Sequence, residues 1–146
     1  MKTVKDFVDE AFANKFKVEA LDGGIYIIDY PLSYQEGTRF QRVFVRDRND
    51  DPTKKQSYFI NSYICDITPA IDLAQVLREA NFGRLTTPCI KKISDEKGGE
   101  KESLYTQTTI PCNYINDDYK EFMAIVFECA ANADYLEKLF LKEDIS

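Results

Sequence analysis

"RFQRVFVRDR", Arg39 to Arg48, holds four arginines and one aspartate and alternates with the period of a β-strand. By twos, Gln41, Val43 and Val45 share one face, while Phe40, Arg42, Phe44 and Arg46 share the other. Both faces carry apolar residues, so three arrangements stay open. In one, the phenylalanines pack beneath a helix and the arginines snorkel outward. In another, the Phe-Arg face contacts a partner protein, since arginine and aromatic residues are enriched at interfaces. In the third, it stacks bases as a single-stranded nucleic-acid platform does. The stretch carries +3 in a chain of net charge -6, so the remainder carries -9. That acidity repels phosphate backbones, and the glycines of an RNP1 pattern are missing. Phe40, Arg42, Phe44 and Arg46 are therefore the candidate partner-binding residues.

The neighbouring segments predict an α+β chain in the order helix, antiparallel meander, helix, hairpin, long helix. "TVKDFVDEAF" places Val4, Phe7, Val8, Ala11 and Phe12 on a helical stripe that Thr3 and Asp6 begin as a capping box and that ends near Asn14. "FKVEALDGGIYIIDYP" gives two β-rich runs around the tight turn Asp22-Gly23-Gly24. "KQSYFINSYICDI" follows the Arg-rich run across the polar "NDDPTKK". In "TPAIDLAQVLREANFG", Thr68 reads as an N-cap, Pro69 as the first helical residue and Gly83 as the stop, with Ile71, Ala74 and Leu77 buried. The last helix is predicted from Asn116 or Asp117 to about Leu141, burying Phe122, Val126, Cys129, Ala133, Leu136 and Phe140. Its first half is apolar nearly all round. Either Met123, Ile125 and Phe127 form a homodimer interface, which is the expectation, or the sheet and first helix cover them within one chain.

Between these helices, "TTPCIKKISDEKGGEKESLYTQTTIPC" (Thr86 to Cys112) reads as a hairpin. Centring its turn on Gly98-Gly99 sets Ile93 opposite Leu104, Cys89 opposite Thr108 and Thr87 opposite Ile110. Cys89 and Cys112 then share the core face but lie roughly 13 Å apart along it at about 3.4 Å per residue. That is too far for a disulfide or a shared metal. Pro88 and Pro111 mark irregularities or an edge.

Composition removes much chemistry. With no histidine there is no imidazole base, nucleophile pair or metal ligand. "DRNDDPTKKQSY" begins like a calcium loop but has Pro52 and Tyr58 where glycine and glutamate belong. Asp117-Asp118 reads as acid at a helix N-terminus, not as a catalytic pair. No metal or other cofactor is expected. Cys65, Cys89, Cys112 and Cys129 contain no Cys-x-x-Cys and suit reduced thiols in a cytoplasm. "MKTVKDFVDEAFANK" has no secretory core, and no apolar run approaches the roughly 20 residues of a membrane span. At 146 residues, a single domain over 1–146 is expected.

The passage "SYFINSYICDI...AIDLAQVLREANFGRLTTPCIKKI...ESLYTQTTIPCNYINDDYKEFMAIVFECAANADYLEKLFL" resembles the YbjN and type III secretion chaperone-like superfamily. The middle-helix ending "ANFG" and the close "ADYLEKLF" look most alike. The resemblance implies an α+β domain with a three-stranded meander. It also implies a small acidic cytoplasmic homodimer that binds an extended segment of another protein without catalysis. "PLSYQEGT" and the "SDEKGGEKE" tip stand as insertions to that pattern. The function expected is a chaperone-like, non-enzymatic protein-binding module with a protein segment as partner and no nucleic acid or membrane. The alternatives are a small-molecule or oligonucleotide binder, or an enzyme using carboxylates or a cysteine.

Overall fold

The computed structural model describes residues 1–34, 37–48, 56–79, 85–94 and 96–140. Strands β1 (Lys17–Ala20), β2 (Ile25–Tyr34), β3 (Gly37–Arg48) and β4 (Ser57–Asp66) form a meander. The hairpin of β5 (Thr87–Ser94) and β6 (Glu100–Pro111) joins it through β6, giving one antiparallel sheet in the order β1-β2-β3-β4-β6-β5. Helices α1 (Val4–Ala13), α2 (Leu73–Glu79), α3 (Cys112–Ile115) and α4 (Tyr119–Phe140) complete the described elements. This is the α+β class read from the sequence, with helices packed on an antiparallel sheet. No helix among the described residues is long and apolar enough to cross a membrane.

Local chemistry accounts for most boundaries. Thr3 and Asp6 close the expected capping box, and Asn14 caps the other end of α1. Gly23 and Gly24, at φ 79° and 75°, let Leu21 N–H reach Ile25 O at 2.8 Å, the turn that pairs β1 with β2. Within "PLSYQEGT", Pro31 to Tyr34 pair with Phe40 to Gly37 and so extend the β2–β3 ladder.

The helical layer covers one face of the sheet. Phe7 of α1 stacks on Phe122 of α4 at 4.4 Å, and both meet Tyr58 edge-on at 5.5 and 5.7 Å. Ile28, Val43, Val45, Ile60 and Ile110 supply the sheet side of this core. A second cluster joins Val76 of α2 to Ile64, Leu104, Ala133 and Leu136. The α4 stripe is buried as expected from Phe122 to Leu136. In α1, Val4, Phe7, Val8 and Ala11 are buried, but Phe12 is 69% exposed.

Four expectations need correction. Met123 and Ile125 are buried within the chain, 7% and 2% exposed, because sheet and α1 both pack on α4. Of the proposed dimer residues only Phe127 is exposed, beside Tyr30 at 5.4 Å. The middle helix begins at Leu73 and not at Pro69. Thr68 instead makes a turn with Ile71 N–H, and Asp72 caps the helix through Gln75 N–H at 3.2 Å. Val76 is its buried residue, while Ala74 and Leu77 are exposed; its expected stop at Gly83 lies outside the described residues. α4 begins after Asn116 and Asp117, both left-handed at φ 53° and 62°, with Asp118 as cap.

The fourth correction is the hairpin register. Cys89 pairs with Tyr105, Thr87 with Gln107 and Ile93 with Lys101, three residues off the expected alignment. Ser94 closes on Glu100, and Gly98 alone of the two glycines takes positive φ, 78°. An odd shift turns the strand over. Cys89 and Ile93 therefore face away from the helices, while Leu104, Thr106, Thr108 and Ile110 keep the helix side. Cys89 and Cys112 lie on opposite sides of the sheet, and all four thiols are free. Pro88 does sit on an edge strand, and Pro111 ends β6.

Candidate binding face

Among the described residues the helices pack on one side and leave the other side of the sheet open. The register puts Phe40, Arg42, Phe44, Arg46 and Arg48 there, opposite Val43 and Val45, which are fully buried under the helices. The four candidate residues thus share one face as the alternation predicted, and the arrangement with phenylalanines in the helix-covered core is ruled out. Phe40 is 63% exposed. Across the described residues of this face, Lys17, Arg42, Arg46, Arg48, Lys91 and Lys101 outnumber the carboxylates of Glu19, Asp29 and Asp66. In an acidic chain this face is locally basic.

At its centre lies a hollow of about 330 Å³ lined by Ile25, Phe44, Phe59, Asn61 and Tyr105, with Arg46 and Lys91 at its edge. Three cations converge on one ring: Lys91 at 4.6 Å, Arg46 at 5.0 Å and Arg48 at 5.5 Å from the Phe59 centroid. Lys91 also lies 4.9 Å from the Tyr105 ring. The quadrupole of each ring offsets part of the repulsion, by about 0.5 to 2 kcal/mol per contact. The Lys91 ammonium is still held below its usual pKa, by burial first and then by Arg46 and Arg48, with Cys89 opposing. Arg42 has Asp29 at 3.4 Å, and Arg48 donates to Thr109 Oγ1 at 3.4 Å. Among the described residues no carboxylate pairs with Arg46 or Lys91. Asn61 is only 8% exposed, yet its side-chain amide has no hydrogen-bond partner among the described residues.

Beside the hollow the sheet splits. β3 and β4 pair only from Phe44–Asn61 to Arg48–Ser57. Beyond that, side chains hold the strands: Gln41 Nε2 donates to Ser62 Oγ at 3.0 Å and Tyr63 O at 3.2 Å, and Ser62 Oγ donates to Arg42 O at 2.7 Å. A bulge between Tyr63 and Cys65 bends β4 away at this point. The resulting cleft, about 1020 Å³, shares Phe44 and Tyr105 with the hollow, so the two are continuous. Asp66 borders the cleft, its carboxyl held below the usual range by hydrogen bonds from Tyr63 and Ser103.

Burial raises the pKa of Cys65, Cys89, Cys112 and Cys129, the opposite of the shift that activates a thiol. At pH 7.5 iodoacetamide should label all four slowly in the native state, with half-buried Cys89 first; rapid labelling of any one would revive a cysteine enzyme. Cys129 moves from an ordinary 9.0 up to about 12. Its folded pKa is the higher one, so the stability it lends is complete below pH 9 and is lost as pH rises toward 12. Alkaline melts should lose about 2 kcal/mol by pH 10.5 from this group, a loss that Cys129→Val should remove. Asp118 caps α4, the role expected of acid at a helix N-terminus, whereas Asp117 accepts from Lys2 N–H at 2.6 Å instead. Residues 49–55 of the calcium-like run lie outside the described residues, and no metal-ligating group of three stands among those described.

Four of the site's residues were not singled out from sequence: Phe59, Asn61, Lys91 and Tyr105. Parity along "SYFINSYICDI" carries Phe59 and Asn61 together, but both faces of that strand are largely apolar. Lys91 and Tyr105 needed the hairpin register. Comparison with protein-family models, with curated proteins and with solved structures gives no match to the chain.

Proposed function

We propose that this chain is a non-enzymatic protein-binding module whose open sheet face receives an extended, acidic segment of another protein. The observation that carries this reading is a set of rings, Phe40 exposed and Phe44 and Tyr105 half-buried, on the same face as the cations Arg46 and Lys91, which have no carboxylate partner among the described residues, in a chain with net charge -6. Complementary charge steers such a segment and fixes its register, while Phe40 and Phe44 give it apolar contact. A chaperone-like role, and membership of the superfamily named above, belong to the same proposal. The second reading, single-stranded nucleic acid, is favoured by the interleaved Phe and Arg but opposed by the acidity of the rest of the molecule.

Anisotropy with labelled ten-residue probes separates the two. A peptide alternating Glu and Val should bind, one alternating Lys and Val should not, and raising NaCl should weaken the acidic peptide. Arg42→Glu with Arg46→Glu should reduce its affinity at least tenfold. Tighter binding of oligothymidine, or no binding of the acidic peptide, refutes the proposal.

A further inference from the structure

We propose that the hollow between Arg46, Asn61, Lys91 and Tyr105 is a carboxylate-binding site that takes one glutamate or aspartate side chain. The identity of the molecule presenting that carboxylate rests on the reading above; the site itself does not. Asn61 is the first observation. The residue is more than nine-tenths buried, and its amide keeps contact with solvent only through the hollow it lines. No hydrogen bond to that amide is made among the described residues. Its NH₂ can donate to an oxygen entering from the open side.

Charge is the second, independent observation. Arg46 and Lys91 lie over the same Phe59 ring, and neither meets a carboxylate among the described residues. A guanidinium over a ring keeps its in-plane N–H edge available, the geometry that matches a carboxylate. An entering anion relieves the mutual repulsion of these cations. At about 330 Å³ the hollow itself sits at the small end of ligand pockets, large enough for one side chain. Phe44 and Tyr105 supply apolar walls for the methylenes that carry the carboxylate. A polyphosphate meets the same cations but also the long-range field of an acidic chain.

The test uses small probes first. N-acetyl-glutamate α-amide, titrated into ¹⁵N-labelled protein, should shift the Asn61 side-chain amide resonances saturably. N-acetyl-glutamine α-amide should not, and Lys91→Met should weaken the shift at least tenfold. No Asn61 shift, or an equal shift from inorganic phosphate at lower concentration, overturns the carboxylate site. Asn61→Leu keeps shape and removes the amide. It should fold at least as well as the parent by thermal melting, yet bind the Glu-Val peptide at least tenfold more weakly. If instead the peptide binds Asn61→Leu and Lys91→Met within twofold of the parent, the carboxylate site is wrong while the protein-binding reading survives. If the blocked glutamate shifts Asn61 but no acidic peptide binds, the site stands and the protein-binding reading falls.

Discussion

Phe122→Ala should lower the unfolding free energy by about 3 to 5 kcal/mol, as a fully buried large-to-small change. Phe44→Ala should lower it by less than about 1 kcal/mol. Phe122 has no exposed surface and lies between Phe7, stacked at 4.4 Å, and the edge of Tyr58 at 5.7 Å. The site cannot collapse on an alanine, because the sheet and α1 hold its walls apart. Tyr58 is further fixed by its hydroxyl, which donates to Lys2 O at 2.6 Å and so ties the chain start to the sheet. Phe44 lies on the opposite face at the lip of two cavities, where removing its ring opens a surface that water already reaches. Urea unfolding of both variants, with equal m-values, checks the contrast. A loss of several kcal/mol in Phe44→Ala would mean that its ring is structural, and would remove it from any binding surface.

The parity of the Arg-rich strand was legible because its two faces differ in kind. Val43 and Val45 are apolar without interruption, whereas the Phe face carries a charge at every second place, and a face of that composition stays wet in a half-covered sheet. The capping box at Thr3 and the glycine turn before β2 were legible because each is a local device. The hairpin register was not. A loop with two adjacent glycines offers two positions for the residue with positive φ, and only Gly98 uses it. Misplacing the turn by an odd count inverted β5, which hid Lys91 from the site and placed Cys89 in the core. The apolar girdle of α4 was legible as burial but not as its cause. Sequence cannot tell a second copy from α1 as the cover for Met123, since both satisfy the same surface. Asn61 carries no sequence signal at all, because an asparagine in a strand looks the same whether or not its amide finds a partner.

The four arginines of the strand have different roles, which gives the second large effect. Arg39 has the parity of Val43, so it points to the helical side, where Nη2 lies 3.4 Å from Asp134 and 3.7 Å from Glu137 of α4. Lys138 reaches the other Asp134 oxygen at 3.7 Å. Asp134 is 1% exposed, and both cations lie beside its carboxylate. Asp134→Ala should cost about 2 to 4 kcal/mol: less than for a fully enclosed pair, since Arg39 and Lys138 keep about a third of their side-chain surface in water, 33% and 34%. The loss should persist in 0.5 M NaCl, because salt screens a buried carboxylate poorly. Arg46→Ala, with no carboxylate to abandon among the described residues, should change stability by less than about 0.5 kcal/mol and act on binding alone. Guanidinium melts would mask these charges, so urea is the denaturant to use. If Arg46→Ala proves as damaging as Asp134→Ala, Arg46 holds the sheet together through Phe59, and its free edge is not available to a partner.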